Sequence, residues 1–180
     1  MGACSLRETI KSTPYKLSKS FNDYENTIQT SLVYNPIILS NASDYIGFLP
    51  VQIKKKMQKY DVAYYFIVLS YAGRTEIGIK EGESLTLKVD GKRITLSSEK
   101  GSWEDREKEY FGYDLSLTKE RAEYRIYEKE LLEIINASNV VMTVKGREQT
   151  ITGEFLPENF VLMREFFNEV MKKDYEEYRK

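Results

Sequence analysis

Val62-Ala63-Tyr64-Tyr65-Phe66-Ile67-Val68-Leu69 is apolar or aromatic at both sets of alternating positions. Successive residues of a strand point to opposite faces, so a segment apolar on both predicts a central strand covered on both sides. Its β-branched and aromatic content agrees with that reading. It is also the longest apolar run, far short of the roughly 20 residues that span a bilayer as a helix.

Downstream, Thr75 to Lys80 alternates with Ile77 and Ile79 on one side. Leu85, Leu87 and Val89 then point one way, and Ile94 and Leu96 repeat the pattern after Asp90-Gly91. Asp-Gly between two alternating runs favours a type I′ turn, whose central residues both need positive φ, and predicts a hairpin. Residues 98–118 read as a long surface excursion. Arg121 to Tyr127 resumes a strand, with Ala122, Tyr124 and Ile126 facing one way and Arg121, Glu123 and Arg125 the other. Glu128 to Ala137 reads as a helix with Leu131, Ile134 and Ile135 inward. Val140, Met142 and Val144 then turn through Gly146 into Thr150 to Phe155, a second hairpin. A last helix opens at Leu156-Pro157-Glu158, where proline suits the first turn, and buries Phe160, Met163, Phe167, Val170 and Met171.

Upstream, Pro50 reads as the first turn of a short helix with Ile53, Met57 and Tyr60 at i, i+4 and i+7, and Lys54, Lys55 and Lys56 on its wet face. Ser31 to Tyr34 and Ile37 to Leu39 read as strand pieces or an extended wrap, separated by the turn signal Asn35-Pro36. The pattern predicts an α+β domain over residues 19–180. Its antiparallel sheet would have about six or seven strands, with two or three helices packed mainly on one face. Phe66 and Phe167 are expected to be largely buried, each costing about 3–5 kcal/mol on truncation to alanine.

Composition excludes more than it selects. Lys plus Arg number 27 and Asp plus Glu 28, a formal net charge of −1 across 180 residues. The charges are interspersed, without the basic face that nucleic-acid binding needs. The chain has no histidine and one cysteine. Internal disulfides, His- or Cys-based metal sites and the Ser-His-Asp and Cys-His nucleophiles are therefore excluded, and no cofactor is expected.

That one cysteine, Cys4, lies in Gly2-Ala3-Cys4-Ser5, which has the small residues and the cysteine of a bacterial lipoprotein cleavage box. Residues 1–18 are polar and read as a flexible tether behind a lipidated Cys4. The expected address is the cell envelope, with membrane contact only through the lipid; a cytoplasmic protein with an incidental Cys4 is the alternative.

Trp103 lies in a glycine-flanked loop beside Tyr110, Phe111 and Tyr113, none of which fits a strand or helix face. These four are the candidate recognition loop, weighed against a loop folded down over the core edge. Glu104, Asp105, Glu107, Glu109 and Asp114 surround it, and paired carboxylates can hydrolyse glycosides. Arg106 and Lys108 are interleaved among them, which favours surface ion pairing.

Gly82-Glu83-Ser84-Leu85, Val89-Asp90-Gly91-Lys92, Gly101-Ser102, Ala122-Glu123-Tyr124-Arg125-Ile126, Val144-Lys145-Gly146 and Pro157-Glu158-Asn159-Phe160 follow one another over about two thirds of the chain. In this general patterning the chain resembles the uncharacterised secreted proteins and lipoproteins of bacterial envelopes. The resemblance implies an envelope address and transfers no functional residue. The sequence thus leads to a non-enzymatic module binding an unidentified protein or small ligand. A carboxylate-based envelope hydrolase and a cytosolic small-ligand-binding domain are the alternatives.

Overall fold

The computed structural model describes residues 15–40, 45–57, 61–73, 75–105 and 118–172, with the backbone alone for 103–105. Eleven strands lie in one sheet among these residues. They are β1 (Leu17–Asn22), β2 (Thr27–Leu32), β3 (Pro36–Leu39), β4 (Tyr45–Lys56), β5 (Asp61–Gly73) and β6 (Gly82–Val89). After these come β7 (Lys92–Ser98), β8 (Trp103–Asp105), β9 (Thr118–Ile126), β10 (Val140–Lys145) and β11 (Thr150–Glu154).

The sheet closes on itself. Following neighbours from β4 through β3, β11, β10, β6, β7, β9 and β5 returns to β4, an eight-stranded antiparallel barrel. β1 and β2 form a ribbon leaving β4, and β8 adds to β9. This corrects the expected α+β domain: an antiparallel sheet of six or seven strands with helices packed mainly on one face does not describe the chain. Closure removes the exposed edges of an open sheet, and eight strands give a lumen just wide enough to fill with side chains.

The lumen is filled. Ile46 and Phe48 of β4 are registered opposite Tyr71 and Leu69 of β5, and Leu69 and Ile67 opposite Ala122 and Tyr124 of β9. All of these are buried, as are Leu85 and Leu87 of β6 and Met142 and Val144 of β10. The alternating outward positions include Lys88, Thr95, Arg121, Glu123 and Arg125. A membrane-spanning barrel reverses this arrangement, with an apolar band outside and a polar lumen.

The expected helix at Pro50 is instead the middle of β4, which pairs with β5 over twelve positions from Tyr45↔Ala72 to Lys56↔Asp61. A proline inside a central strand ordinarily removes a ladder hydrogen bond. Here the β4 edge changes partner around it: β3 pairs up to Gly47 and β2 begins at Val51. The Phe48 amide donates to Asn35 O on that edge at 2.9 Å. Two residues on, Pro50 directs its nitrogen to the same edge, where no strand is waiting. The lysines that follow end the strand, and Lys54 lies 3.7 Å from Asp61.

The hairpin at Asp90-Gly91 has φ of 45° and 90°, as a type I′ turn requires. α1 (Glu128–Asn136) links β9 to β10, and α2 (Pro157–Phe166) follows β11, continuing into a π-helical turn at Phe167–Met171. Leu131, Ile134, Ile135, Phe160, Met163 and Phe166 join the barrel core from the helices. Asn159, wholly buried, anchors α2 by donating to Asn35 Oδ1 at 2.7 Å and Pro36 O at 2.9 Å, while its own Oδ1 accepts from the Leu156 amide.

Neither phenylalanine singled out from the sequence is fully buried. Phe167 only packs against the core margin, and Phe66 is on the outer face, registered with Val51 and Arg125. Phe66→Ala is therefore expected to cost about 1 kcal/mol, well below the cost of truncating a fully buried aromatic. Urea unfolding checks this; a loss above about 3 kcal/mol would place Phe66 in the core after all.

Candidate functional site

The outer face of β4, β5 and β9 presents side chains in cross-strand rows, because paired residues of an antiparallel sheet share a face. One row is Gly47, Ser70 and Arg121; the next is Leu49, Val68 and Glu123; a third is Val51, Phe66 and Arg125. Val51 and Val68 are only 3% and 2% exposed, although they point away from the lumen and lie outside the core cluster. Two clefts open on this face.

The first has a volume of about 530 Å³ and is lined by Phe66, Glu123 and Arg125 together with the Ser98–Gly101 turn. The Arg125 guanidinium is 5.5 Å from the centre of the Tyr64 ring, a cation–π contact that steers its charged end along the face. Gly101, at φ +67°, brings the turn so close to the preceding segment that a Cβ would sit 2.7 Å from Ile79 O. The turn is thereby fixed against the barrel and leads directly into β8.

The second cleft, of about 570 Å³, adjoins Leu49, Ser70 and Arg121 and reaches the β1–β2 ribbon. Both lie on the convex side of the barrel wall, where a partner can reach them.

The candidate residues from the sequence divide sharply. Trp103, Glu104 and Asp105 begin after this turn as β8, registered opposite Arg121, Glu120 and Lys119. The surface excursion expected over residues 98–118 is therefore partly sheet. Cys4, Tyr110, Phe111, Tyr113, Glu107, Glu109 and Asp114 lie outside the described residues.

One polar residue that sequence reasoning passed over is Glu120, 2% exposed in the barrel wall. Its Oε1 accepts from the Ile77 and Gly78 amides at 2.5 and 3.1 Å, and its Oε2 accepts from the Ile79 amide at 3.2 Å and Ser102 Oγ at 2.8 Å. Extending the alternation Ile126, Tyr124, Ala122 back by two residues would have placed this carboxylate inward. With its oxygens engaged by four donors, it pins the 77–79 segment and Ser102 to β9.

Three tyrosines are also perturbed upward, Tyr34 among them through burial and then the nearby Tyr45. Burial pushes the Tyr124 phenol up to about 12, against a smaller lowering from Ser84, whose Oγ is 3.0 Å from its hydroxyl. The Tyr15 hydroxyl is buried without a hydrogen-bond partner; burial, and then Glu169 and Glu165, hold it well above the usual phenol range. With all three raised from the ordinary phenol value, none is poised to ionise near neutral pH.

Among the described residues, no group of three or more His, Cys, Asp or Glu side chains could hold a metal ion. Comparison with protein-family models, with curated proteins and with solved structures found no match to this chain.

Proposed function

We propose that this protein is a non-enzymatic binding module of the bacterial envelope. A lipid on Cys4 tethers it, and the outer face of β4, β5 and β9 contacts its partner. The observation that carries the reading is the cleft beside Phe66, in which an aromatic side chain, the Glu123 and Arg125 charges and a fixed backbone turn converge. One aromatic ring set among two carboxylates and two cations, Glu99, Glu123, Lys100 and Arg125, gives the cleft the make-up of a polar contact surface with a single apolar anchor. The packed lumen supports the same view, since a ligand has to be met from outside the barrel.

A photo-crosslinking residue at Lys100, introduced in the native host, tests the contact surface. Crosslinks to a discrete envelope component are expected, and Arg125→Ala should remove them. Equal crosslinking from Thr143, an outward position on the distant strand β10, would sink the reading.

The address is tested separately. Mass spectrometry of the mature N-terminus should find a diacylated or triacylated Cys4. A free Cys4 thiol, or an unprocessed Met1, on the protein recovered from cells would remove the tether.

A further inference from the structure

The cleft beside Phe66 is one end of a longer row of rings on the outer face. Phe66 and Tyr64 are two residues apart on β5, so both point outward with their Cα atoms about 7 Å apart. On β9, Arg125 is registered opposite Phe66, and Ile126 opposite Tyr65. The chain stays extended through Tyr127, at φ −76° and ψ 146°, so alternation brings the Tyr127 side chain out beside Tyr64. Tyr64 and Tyr127 are 37% and 75% exposed, and Phe66 is half-buried. Phe66 and Tyr127 are thus diagonal neighbours across the strand pair, about 7–8 Å apart at the backbone. Arg125 lies between them, held against one face of the Tyr64 ring.

Charged groups of both signs border the rings. Glu99 and Lys100 are exposed on the turn beside Phe66, and Glu123 and Arg125 are exposed on β9. The turn is held in place, because Ser98 Oγ donates to Gly101 O at 3.4 Å and Gly101 is pressed against Ile79 O. Two carboxylates set against two cations disfavour a polyanion and a polycation alike, and suit a neutral ligand that both donates and accepts hydrogen bonds. The same four charges around Phe66 leave no dry apolar centre of the kind that a protein interface closes over.

From this juxtaposition we propose that the outer face of β5 and β9 binds a neutral pyranose oligosaccharide. The inference rests on the reading of this face as the contact surface and names the class of its ligand. A pyranose has a C–H face and a rim of hydroxyls. The slightly positive C–H bonds pack on the negative π face of an aromatic ring, here Phe66 for one sugar and Tyr127 for another. The rim hydroxyls donate to the Glu99 and Glu123 carboxylates and accept from Lys100 and Arg125. One sugar ring covers one aromatic ring, so a chain of sugars gains what a monosaccharide cannot.

Titration calorimetry on the purified full-length chain tests it, with hexasaccharides of the glucose, galactose, mannose and N-acetylglucosamine series as probes. At least one should bind, and its monosaccharide should bind at least about tenfold more weakly. Added salt should leave the affinity nearly unchanged, as a neutral ligand requires. Phe66→Leu keeps an apolar side chain and removes the π face, and Tyr127→Ala removes an exposed ring; each should weaken binding about tenfold. Thermal unfolding of both variants within about 4 °C of the parent shows that the fold is intact. Thr143→Ala, outward on β10, should leave binding unchanged. Binding to none of the hexasaccharides, a monosaccharide bound as tightly as its hexamer, affinities unaltered in both ring variants, or binding only to an acidic polymer such as heparin overturns the proposal. Crosslinks from Lys100 to a protein, with no hexasaccharide bound, would overturn the glycan and leave the contact surface standing; the absence of both would remove the surface itself.

Discussion

Glu120→Gln is expected to lower stability by about 2–3 kcal/mol, and Glu120→Ala by about 4 kcal/mol, without loss of the barrel. The carboxylate takes the amides of three consecutive residues, Ile77, Gly78 and Ile79, and the Ser102 hydroxyl. A carboxamide is nearly isosteric but can offer only one acceptor oxygen; its NH₂ would then face either the Ile77 and Gly78 amides or the Ile79 amide. Ser102 can rotate to accept from that NH₂, but a backbone amide cannot. At least one buried donor is left facing another, which accounts for the glutamine cost. Alanine removes every acceptor and leaves a hole that water only partly fills. Urea unfolding measures both losses. Hydrogen exchange adds a local signature, because the Ile77–Ile79 amides should exchange faster than those of β4 and β5. Glu123→Gln is the control: on the opposite face of the same strand and half exposed, it should change stability by less than about 0.5 kcal/mol. A Glu120→Gln loss below that same level would mean the three amides do not depend on the carboxylate.

How much of this could be read from the sequence differs by element, and the reasons are physical. The Asp90-Gly91 hairpin is local: two positive-φ positions between alternating runs leave few alternatives. The two helices are nearly as local: the stripe of α1 and the proline start at Pro157 match the structure, although at the end of α2 it is Phe166 and not Phe167 that turns fully inward. Barrel closure is not local at all. It depends on β5 meeting β9 beyond the whole β6–β8 segment and on β11 meeting β3 across more than a hundred residues, neither of which leaves a periodic mark. Pro50 misled because Leu49, Val51 and Ile53 are apolar on the outer side while Ile46 and Phe48 are apolar on the inner side. With both faces apolar the period of two vanishes, and a spacing of four and seven looks helical. The two clefts were illegible for the same reason: each gathers side chains from strands far apart in sequence. Phe66, Glu123, Arg125, Lys19 and Ser70 become neighbours only once the register is known.

Gly146→Ala is expected to cost about 3 kcal/mol, although the residue reads in sequence as an ordinary turn glycine. Its φ is not positive, so a left-handed backbone is not the reason. Space is. A Cβ built there would stand 1.9 Å from Ile77 O and 2.6 Å from Ile77 C, distances that only a shift of backbone can relieve. That shift has little freedom, since Gly146 is bridged to Ile79, the Arg147 amide donates to Gly78 O at 2.9 Å and the Glu148 amide to Ile77 O at 3.1 Å. The same 77–79 segment hangs from Glu120 on its other side. The methyl group must therefore either break the backbone bonds on the Gly146 side or pull the segment away from the carboxylate. Either route predicts coupling between the two sites. In a double-mutant cycle, Gly146→Ala added to Glu120→Ala should cost less than the sum of the single losses by at least about 1 kcal/mol, because the segment is already released. Strict additivity would show that the glycine and the carboxylate secure different structures, and that residues 77–79 are not the shared clamp at this end of the barrel.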